Sequence, residues 1–197
     1  METTKINIEN IVKLKSEIEE YNVRFNKSES GRQDEMIERF SKLSEINEDN
    51  IIAVAALINT LYSTHIYPSD FENLIQRIIN VNDLKNRLNN GDILLVSEIS
   101  KVGDKEYLSF ASKFCAFFNN TKYPIYDKIS RKVLSDINKK YGFTNRFCKD
   151  KIPYDRFFTI YNAFISAFDL QNYTYRQIDK FLWGKGKDLE EAKRENN

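Results

Sequence analysis

Apolar residues recur at spacings of three and four along almost the whole chain, which is the period of an amphipathic α-helix. Only three prolines and six glycines interrupt the pattern. The pattern therefore predicts an all-α protein. Helices are predicted over about 11–25, 34–46, 50–64, 68–79, 83–88, 92–100, 105–118 and 127–137, with two more after Pro153.

Four segments carry more specific expectations. Residues 50–64 are apolar on nearly every side, which predicts a central helix that is packed all round. The Ser28-Glu29-Ser30-Gly31 cluster is predicted to end the first helix, and Lys101-Val102-Gly103-Asp104 to separate two others. The last helix is predicted to end at Gly184, and the charged tail from Gly186 onward to fray.

Composition limits the class of protein. With 41% hydrophobic and 30% charged residues the chain can bury a core, and no run approaches the ~18 apolar residues of a membrane span. Residues 1–5 lead into a charged amphipathic segment, so we expect no signal peptide and a cytoplasmic location. The two cysteines, Cys115 and Cys148, are predicted to be buried thiols, too few for a disulfide framework or a four-cysteine metal site. We predict no metal and no organic cofactor.

Charge is distributed unevenly along a chain whose net charge is only +1. Residues 1–100 hold 11 Lys and Arg against 17 Asp and Glu, whereas residues 101–151 hold 12 against 5. A basic segment in a nearly neutral chain is typical of a surface that binds a polyanion. The alternative is a set of solvated helix faces.

The predicted break at 101–104 is a candidate phosphate-binding turn. A tight glycine turn that runs into a helix N-terminus presents unpaired backbone N–H groups, and the helix dipole favours an anion there. We predict that Lys101, Val102, Gly103 and Lys105 hold a phosphate group without reading base sequence. An ordinary helix connection is the alternative.

A longer arrangement surrounds this turn. Ile99-Ser100-Lys101-Val102-Gly103 is followed by a predicted helix, a loop and Tyr126-Asp127-Lys128-Ile129-Ser130-Arg131-Lys132. This order resembles the helix-hairpin-helix DNA glycosylase superfamily, in which a Leu-Pro-Gly-Val-Gly hairpin precedes a catalytic aspartate in Val-Asp-x-His-x-x-Arg. Leu61-Tyr62-Ser63-Thr64-His65 is similar to the Leu-Leu-Ser-Ala-Gln motif of that superfamily. The resemblance covers roughly residues 50–135.

The resemblance implies a two-lobed helix-hairpin-helix glycosylase-like fold. Its middle lobe would span about 35–135 and its terminal lobe 1–34 with 136–197. The implied function is excision of a damaged or modified base from double-stranded DNA by hydrolysis of the N-glycosidic bond, which leaves an abasic site. A monomer is expected. Richness in Asn, Lys and Ile is similar to small bacterial defence proteins, so modified phage DNA is an expected substrate.

Asp127 is the candidate catalytic residue. Cleavage of an N-glycosidic bond builds positive charge on the sugar, which a carboxylate can stabilise, or the carboxylate can activate water. The alternative is a simple helix N-cap. Members of the superfamily that also nick the DNA strand use a lysine, which forms a Schiff base with the sugar. Lys105 and Lys113 are the candidates for this lysine here. In the superfamily this lysine lies at a usual distance before the catalytic aspartate. The same distance before Asp127 falls on Ser109, which is not a lysine, so we favour a monofunctional enzyme.

The remaining candidates would handle the flipped base and the strand. When a base is flipped out, a protein residue fills the gap that is left in the duplex. His65 matches that residue of the superfamily. Tyr62, Tyr67 and Tyr126 are candidate pocket walls, and Lys128 and Arg131 are candidate DNA contacts.

The chain also departs from the superfamily pattern. It has Ser100-Lys101 in place of Pro-Gly and Ile129 in place of His, and it lacks iron-sulfur cysteines. Two alternatives stay open: a non-catalytic helix-hairpin-helix DNA-binding module and a helical protein-interaction domain.

Overall fold

The computed structural model describes residues 6–43, 45–62, 64, 66–145 and 150–195. Within these ranges the chain forms ten helices and one two-stranded hairpin, so the prediction of an all-α protein is confirmed. The elements are α1 (Ile8–Lys27), α2 (Glu29–Leu43), α3 (Glu48–Leu61), α4 (Pro68–Ile79), α5 (Leu84–Asn90), α6 (Leu94–Ile99), β1 (Lys101–Val102), β2 (Lys105–Glu106), α7 (Leu108–Phe118), α8 (Lys128–Tyr141), α9 (Tyr154–Ala167) and α10 (Tyr175–Glu195).

The chain divides into two compact units. One consists of Met1–Ser28 with Tyr126–Asn197, and the other of Glu29–Ile125. The sequence-based boundaries lay near 35 and 135. The division after Ile125 places Asp127 and α8 in the unit formed by the two chain ends, because α8 packs against α10. The hairpin belongs to the other unit.

The unit of the chain ends is built on an aromatic core. Helix α10 packs against α1 and α8, and α9 contacts α8. Some neighbouring rings meet edge to face, as Phe157 and Tyr161 do at 5.6 Å between centroids, and others are tilted, as Phe164 and Phe168 are. The fully buried rings of this core are Tyr154, Phe157, Tyr161, Phe164, Phe168 and Phe181.

Helix α10 does not end at Gly184 but continues through the predicted tail to Glu195. A Cβ atom on Gly184 would lie 2.6 Å from Cδ1 of Tyr21, and one on Gly186 would lie 2.1 Å from Cγ2 of Ile129. Both glycines are buried. The prediction of a frayed tail is therefore wrong, because these glycines allow close helix packing instead of ending the helix.

The other unit surrounds helix α7. Nine of its 11 residues are buried, since α2, α3, α5 and α6 all contact it. Helix α3, which was predicted to be packed all round, buries one face through Val54 and Ile58 and exposes Ile52 and Ala56. That prediction is wrong for α3, and α7 has the environment expected of it.

The Ser28-Glu29-Ser30-Gly31 cluster was predicted to end the first helix. Helix α1 does end there, and Ser28 alone separates it from α2. Helix α2 begins at Glu29, directly after Ser28. The Ser28 hydroxyl and backbone N–H both donate to the carbonyl of Phe25, at 2.6 and 2.9 Å. These hydrogen bonds of Ser28 end α1.

Two composition-based expectations concern burial and membranes. Cys115 is fully buried in α7, as predicted, and burial raises the pKa of its thiol. Cys148 lies outside the described residues. None of the helices described has both the length and the apolar character that a bilayer crossing requires.

A buried hydrogen bond in the chain-end unit gives a test of this packing. Tyr161 donates from its hydroxyl to Oδ1 of Asp179 at 2.8 Å, and burial together with that carboxylate raises the pKa of Tyr161 well above its ordinary value. We expect Tyr161→Phe to lower the free energy of unfolding in urea by roughly 1–3 kcal/mol, because Asp179 loses a partner inside the protein. The control is Tyr173→Phe, whose exposed bond to Glu19 predicts a loss below about 0.5 kcal/mol. Equal losses would contradict the prediction.

Candidate functional site

The segment around Gly103 is a β-hairpin. Strands β1 and β2 pair antiparallel with Val102 opposite Lys105, and the N–H of Tyr107 donates to the carbonyl of Ser100 at 2.8 Å. Gly103 has φ +55°, a conformation that a hairpin turn beginning with glycine requires. A Cβ atom there would meet nothing within 4 Å, so the tip is open to solvent.

This geometry corrects the predicted phosphate-binding turn. Helix α7 begins at Leu108 and not at Lys105, so strand β2 separates the Gly103 turn from the helix N-terminus. The Gly103 turn therefore does not lead directly into a helix N-terminus, where the helix dipole would favour an anion. The hairpin instead presents two exposed lysine side chains, Lys101 and Lys105.

Lys105 is already engaged by an acidic partner. Its Nζ donates to Oδ2 of Asp70 at 2.7 Å, and the hydroxyl of Tyr107 donates to the same oxygen. The hydrogen bond from Lys105 and, to a smaller extent, that from Tyr107 lower the pKa of Asp70. The Asp70 carboxylate therefore balances the charge of Lys105 beside the hairpin turn. Sequence analysis missed Asp70 because it lies 35 residues before Lys105, with no local pattern that links them.

Tyr67 stands on the open surface next to this ion pair. It is 69% exposed at the N-cap position of α4, and the Lys105 ammonium lies 5.2 Å from the centre of its ring. A ring with this exposure can stack on a nucleobase, and the adjacent cation adds to such an interaction. Tyr67 was predicted as a pocket wall, whereas here it is an exposed platform.

Lys113 and Tyr62 belong to the interior of the same unit. Lys113 is only 6% exposed, and its Nζ donates to Oγ of Ser109 at 2.6 Å. The Lys113 ammonium lies 5.6 Å from the centre of the Tyr62 ring, and the Tyr62 hydroxyl donates to Asp34. The candidate Schiff-base lysine is thus enclosed, and Tyr62 is tied into the same polar cluster.

Asp127 is the N-cap of helix α8. Its Oδ1 accepts hydrogen bonds from the N–H groups of Ile129 and Ser130, at 2.7 and 3.0 Å. The residue is partly exposed. Among the described residues none donates a hydrogen bond to Oδ2 of Asp127. The carboxylate is therefore held in one orientation with one oxygen still able to bind another group.

Tyr126 and Arg131 lie in the core, which is not where a base pocket or a phosphate contact would be. Tyr126 is 4% exposed, and its hydroxyl both donates to the carbonyl and accepts from the N–H of Ile152, at 2.8 and 2.9 Å. The Arg131 guanidinium lies 4.5 Å from the centre of the Tyr126 ring and donates to the carbonyl of Asp150. Both side chains stabilise the start of α8 in this structure.

The basic segment is divided between the two units. Residues 101–125 and 126–151 belong to different units, and two of the cations, Lys113 and Arg131, are buried. Those on exposed positions include Lys101, Lys122, Lys128 and Lys140. His65, the candidate gap-filling residue, lies outside the described residues.

Comparison with known proteins places the chain in a family. The HI_0787_N family model, described as an N-terminal domain, matches residues 17–122. This chain belongs to the HI_0787_N family. An uncharacterized protein of Haemophilus influenzae is 34% identical over 135 residues, which cover 66% of this chain and 63% of the relative. The chain thus spans less than two thirds of that relative, and no solved structure matches it.

The HI_0787_N match includes the hairpin and α7 but stops before Asp127. It also includes an open groove of about 930 Å³ between α2 and α3. Its lining is mostly apolar, with charged side chains at intervals. The lining includes Arg32, Met36, Arg39, Phe40, Ala53 and Leu57.

Substitution can separate the effect of the Asp127 side chain as a helix cap from the effect of its charge. We expect Asp127→Ala to lower the free energy of unfolding by about 1 kcal/mol, because the first turn of α8 loses its cap. Asp127→Asn should cost little, since asparagine caps a helix about as well as aspartate. Urea unfolding of both variants is the measurement. Equal destabilisation by the two substitutions would show that the charge, and not the cap, stabilises α8.

Proposed function

We propose that this protein is a DNA N-glycosylase that excises a damaged or modified base from double-stranded DNA and leaves an abasic site. The observation that carries the proposal is the Asp127 carboxylate, which is partly exposed and oriented through Oδ1 by two backbone N–H groups. The sequence around it, Tyr126-Asp127 to Lys132, resembles the catalytic segment of the helix-hairpin-helix glycosylases. On this proposal the two units correspond to the two lobes of that fold.

The proposed chemistry needs a carboxylate that stays ionised near the sugar. Departure of the base builds positive charge on the sugar, and Oδ2 of Asp127 would stabilise that charge or accept a proton from the attacking water. No metal or organic cofactor enters the proposal.

The lysine candidates support hydrolysis without strand cleavage. A Schiff base requires an accessible, neutral amine. Lys113 is buried, and the hydrogen bond to Asp70 raises the pKa of Lys105. Neither lysine meets the requirement in this structure, so we infer a monofunctional enzyme.

The proposed DNA contacts are the exposed groups near the candidate residues. Lys101 and Lys128 would bind backbone phosphates, with Val102 and Gly103 bringing the hairpin tip close to the strand. Tyr67 would stack on a base beside the displaced nucleotide. We extend the proposal to defence against phage DNA that carries modified bases, and to a cytoplasmic, monomeric enzyme.

The catalytic proposal is tested with duplexes that contain uracil, oxidised, alkylated or glucosylated bases, scored for alkali-labile sites. Wild-type protein should produce such sites on at least one duplex, and Asp127→Asn should reduce the rate at least about 100-fold with unchanged DNA affinity. The matched control is Asp136→Asn, an exposed aspartate on the same helix, which should keep the wild-type rate. Equal activity of the wild-type and Asp127→Asn proteins would overturn the assignment.

The DNA contact at the hairpin is tested through Asp70. Asp70→Asn removes the charge that balances Lys105, so we expect tighter binding to undamaged duplex and a salt slope steeper by up to about 0.9. Titration at several salt concentrations measures both. Glu72→Gln, an equal change of charge on an exposed position of α4, should have a smaller effect. If the two variants behave alike, the hairpin is not the contact.

Two other functions have a specific observation in their favour. Capping of α8 through Oδ1 is a sufficient reason for an aspartate at position 127, which leaves room for a non-catalytic DNA-binding module. That alternative holds if wild-type and Asp127→Asn proteins bind DNA equally and neither cleaves any duplex. The groove between α2 and α3 favours a helical protein-interaction domain. That alternative gains if duplex affinity is negligible or insensitive to salt.

A further inference from the structure

Gly186 of α10 lies directly against the first turns of α8. A Cβ atom at this position would lie 2.1 Å from Cγ2 of Ile129 and 3.1 Å from Cγ2 of Val133. Ile129 and Val133 are one helical turn apart, so their side chains flank the glycine. Residue 186 is buried and helical, so left-handed backbone is not the reason for a glycine here.

The helix pays for this contact in intrinsic stability. A glycine inside a helix costs about 1 kcal/mol relative to alanine. Alanine at 186 would regain that amount but could not occupy the space filled by the Ile129 methyl group. The close approach of α10 to Ile129 is therefore the physical reason for glycine at this position.

Ile129 also belongs to the structure that holds Asp127. Its backbone N–H donates to Oδ1 of Asp127 at 2.7 Å, and the next residue, Ser130, donates to the same oxygen at 3.0 Å. Ile129 thus contacts α10 through its side chain and Asp127 through its backbone. A shift of the α8 backbone that moved Ile129 away from α10 would carry those N–H groups with it.

We propose that Gly186 is a positioning residue for Asp127: by having no side chain it lets α10 seat Ile129, which fixes the N–H groups that orient the carboxylate. The inference rests on the proposed glycosylase function for its catalytic consequence. Its structural part, control of the α8 cap by α10, stands independently of that function. Positioning matters for catalysis because a displacement of about 1 Å can reduce a rate about 100-fold.

The chain offers a matched control on the same helix. Gly184 is also buried in α10, and a Cβ atom there would lie 2.6 Å from Cδ1 of Tyr21, a residue of α1. Gly184→Ala therefore makes the same substitution and strains the same helix, but it pushes on α1 and not on α8. A general loss of α10 packing would affect both variants alike.

Gly186→Ala is tested by two measurements. Amide hydrogen exchange, followed by nuclear magnetic resonance, should become faster at Ile129 and Ser130, and the single-turnover rate of base excision should fall by about tenfold or more at unchanged DNA affinity. Gly184→Ala should change neither. Gly186→Ala combined with Ile129→Ala should recover part of the lost rate, because the obstructing methyl group is gone. Unchanged exchange at both amides, or equal effects of the two glycine substitutions, overturns the proposal.

Two further results are decisive. If Gly186→Ala does not fold, Ile129→Ala replaces it, since it removes the contact from the α8 side without a clash. Faster exchange at Ser130 in that variant supports the proposal, and unchanged exchange contradicts it. If wild-type protein excises no base, the proposed function fails, yet the exchange measurement still decides whether Gly186 controls the cap of α8.

Discussion

Close packing of α10 is the constraint on which the chain-end unit depends. Helix α10 contacts α1 through Gly184 and α8 through Gly186, at distances that leave no room for a Cβ atom. Two glycines in one helix lower its intrinsic stability, so the helix persists because tertiary contacts compensate for that loss. The N-terminus of α8, where Asp127 lies, inherits its position from this contact.

Elements with local signals were predictable from sequence. Helix α4 begins with Pro68 in its first turn, and α5 ends at Gly91, which has φ +74°. Asp127 was predicted as an N-cap candidate because capping involves only the next three residues. The resemblance to glycosylases involves the same residue, but the matched family region ends before it.

Most of the failures involve partners that are distant in sequence. Gly184 was interpreted as a helix end, since glycine commonly ends helices, and only the position of α1 shows why the helix continues. Lys105 is the exception, because it was predicted at a helix start but pairs in β2 with the nearby Val102, across a Gly103-Asp104 turn that is a local hairpin signal. Tyr126 was predicted at a pocket, but its bonds to Ile152 place it in the core. No local pattern encodes the neighbours of Gly184 or Tyr126.

The ion pair between Lys105 and Asp70 has a kinetic consequence for the function we propose. A phosphate that approaches the hairpin competes with a counter-charge that the protein itself supplies, so the net gain from each arbitrary encounter is small. Weak attachment shortens residence on ordinary duplex and speeds transfer along it. An enzyme that must inspect many intact base pairs to find one altered base benefits when an internal ion pair limits its affinity for ordinary duplex.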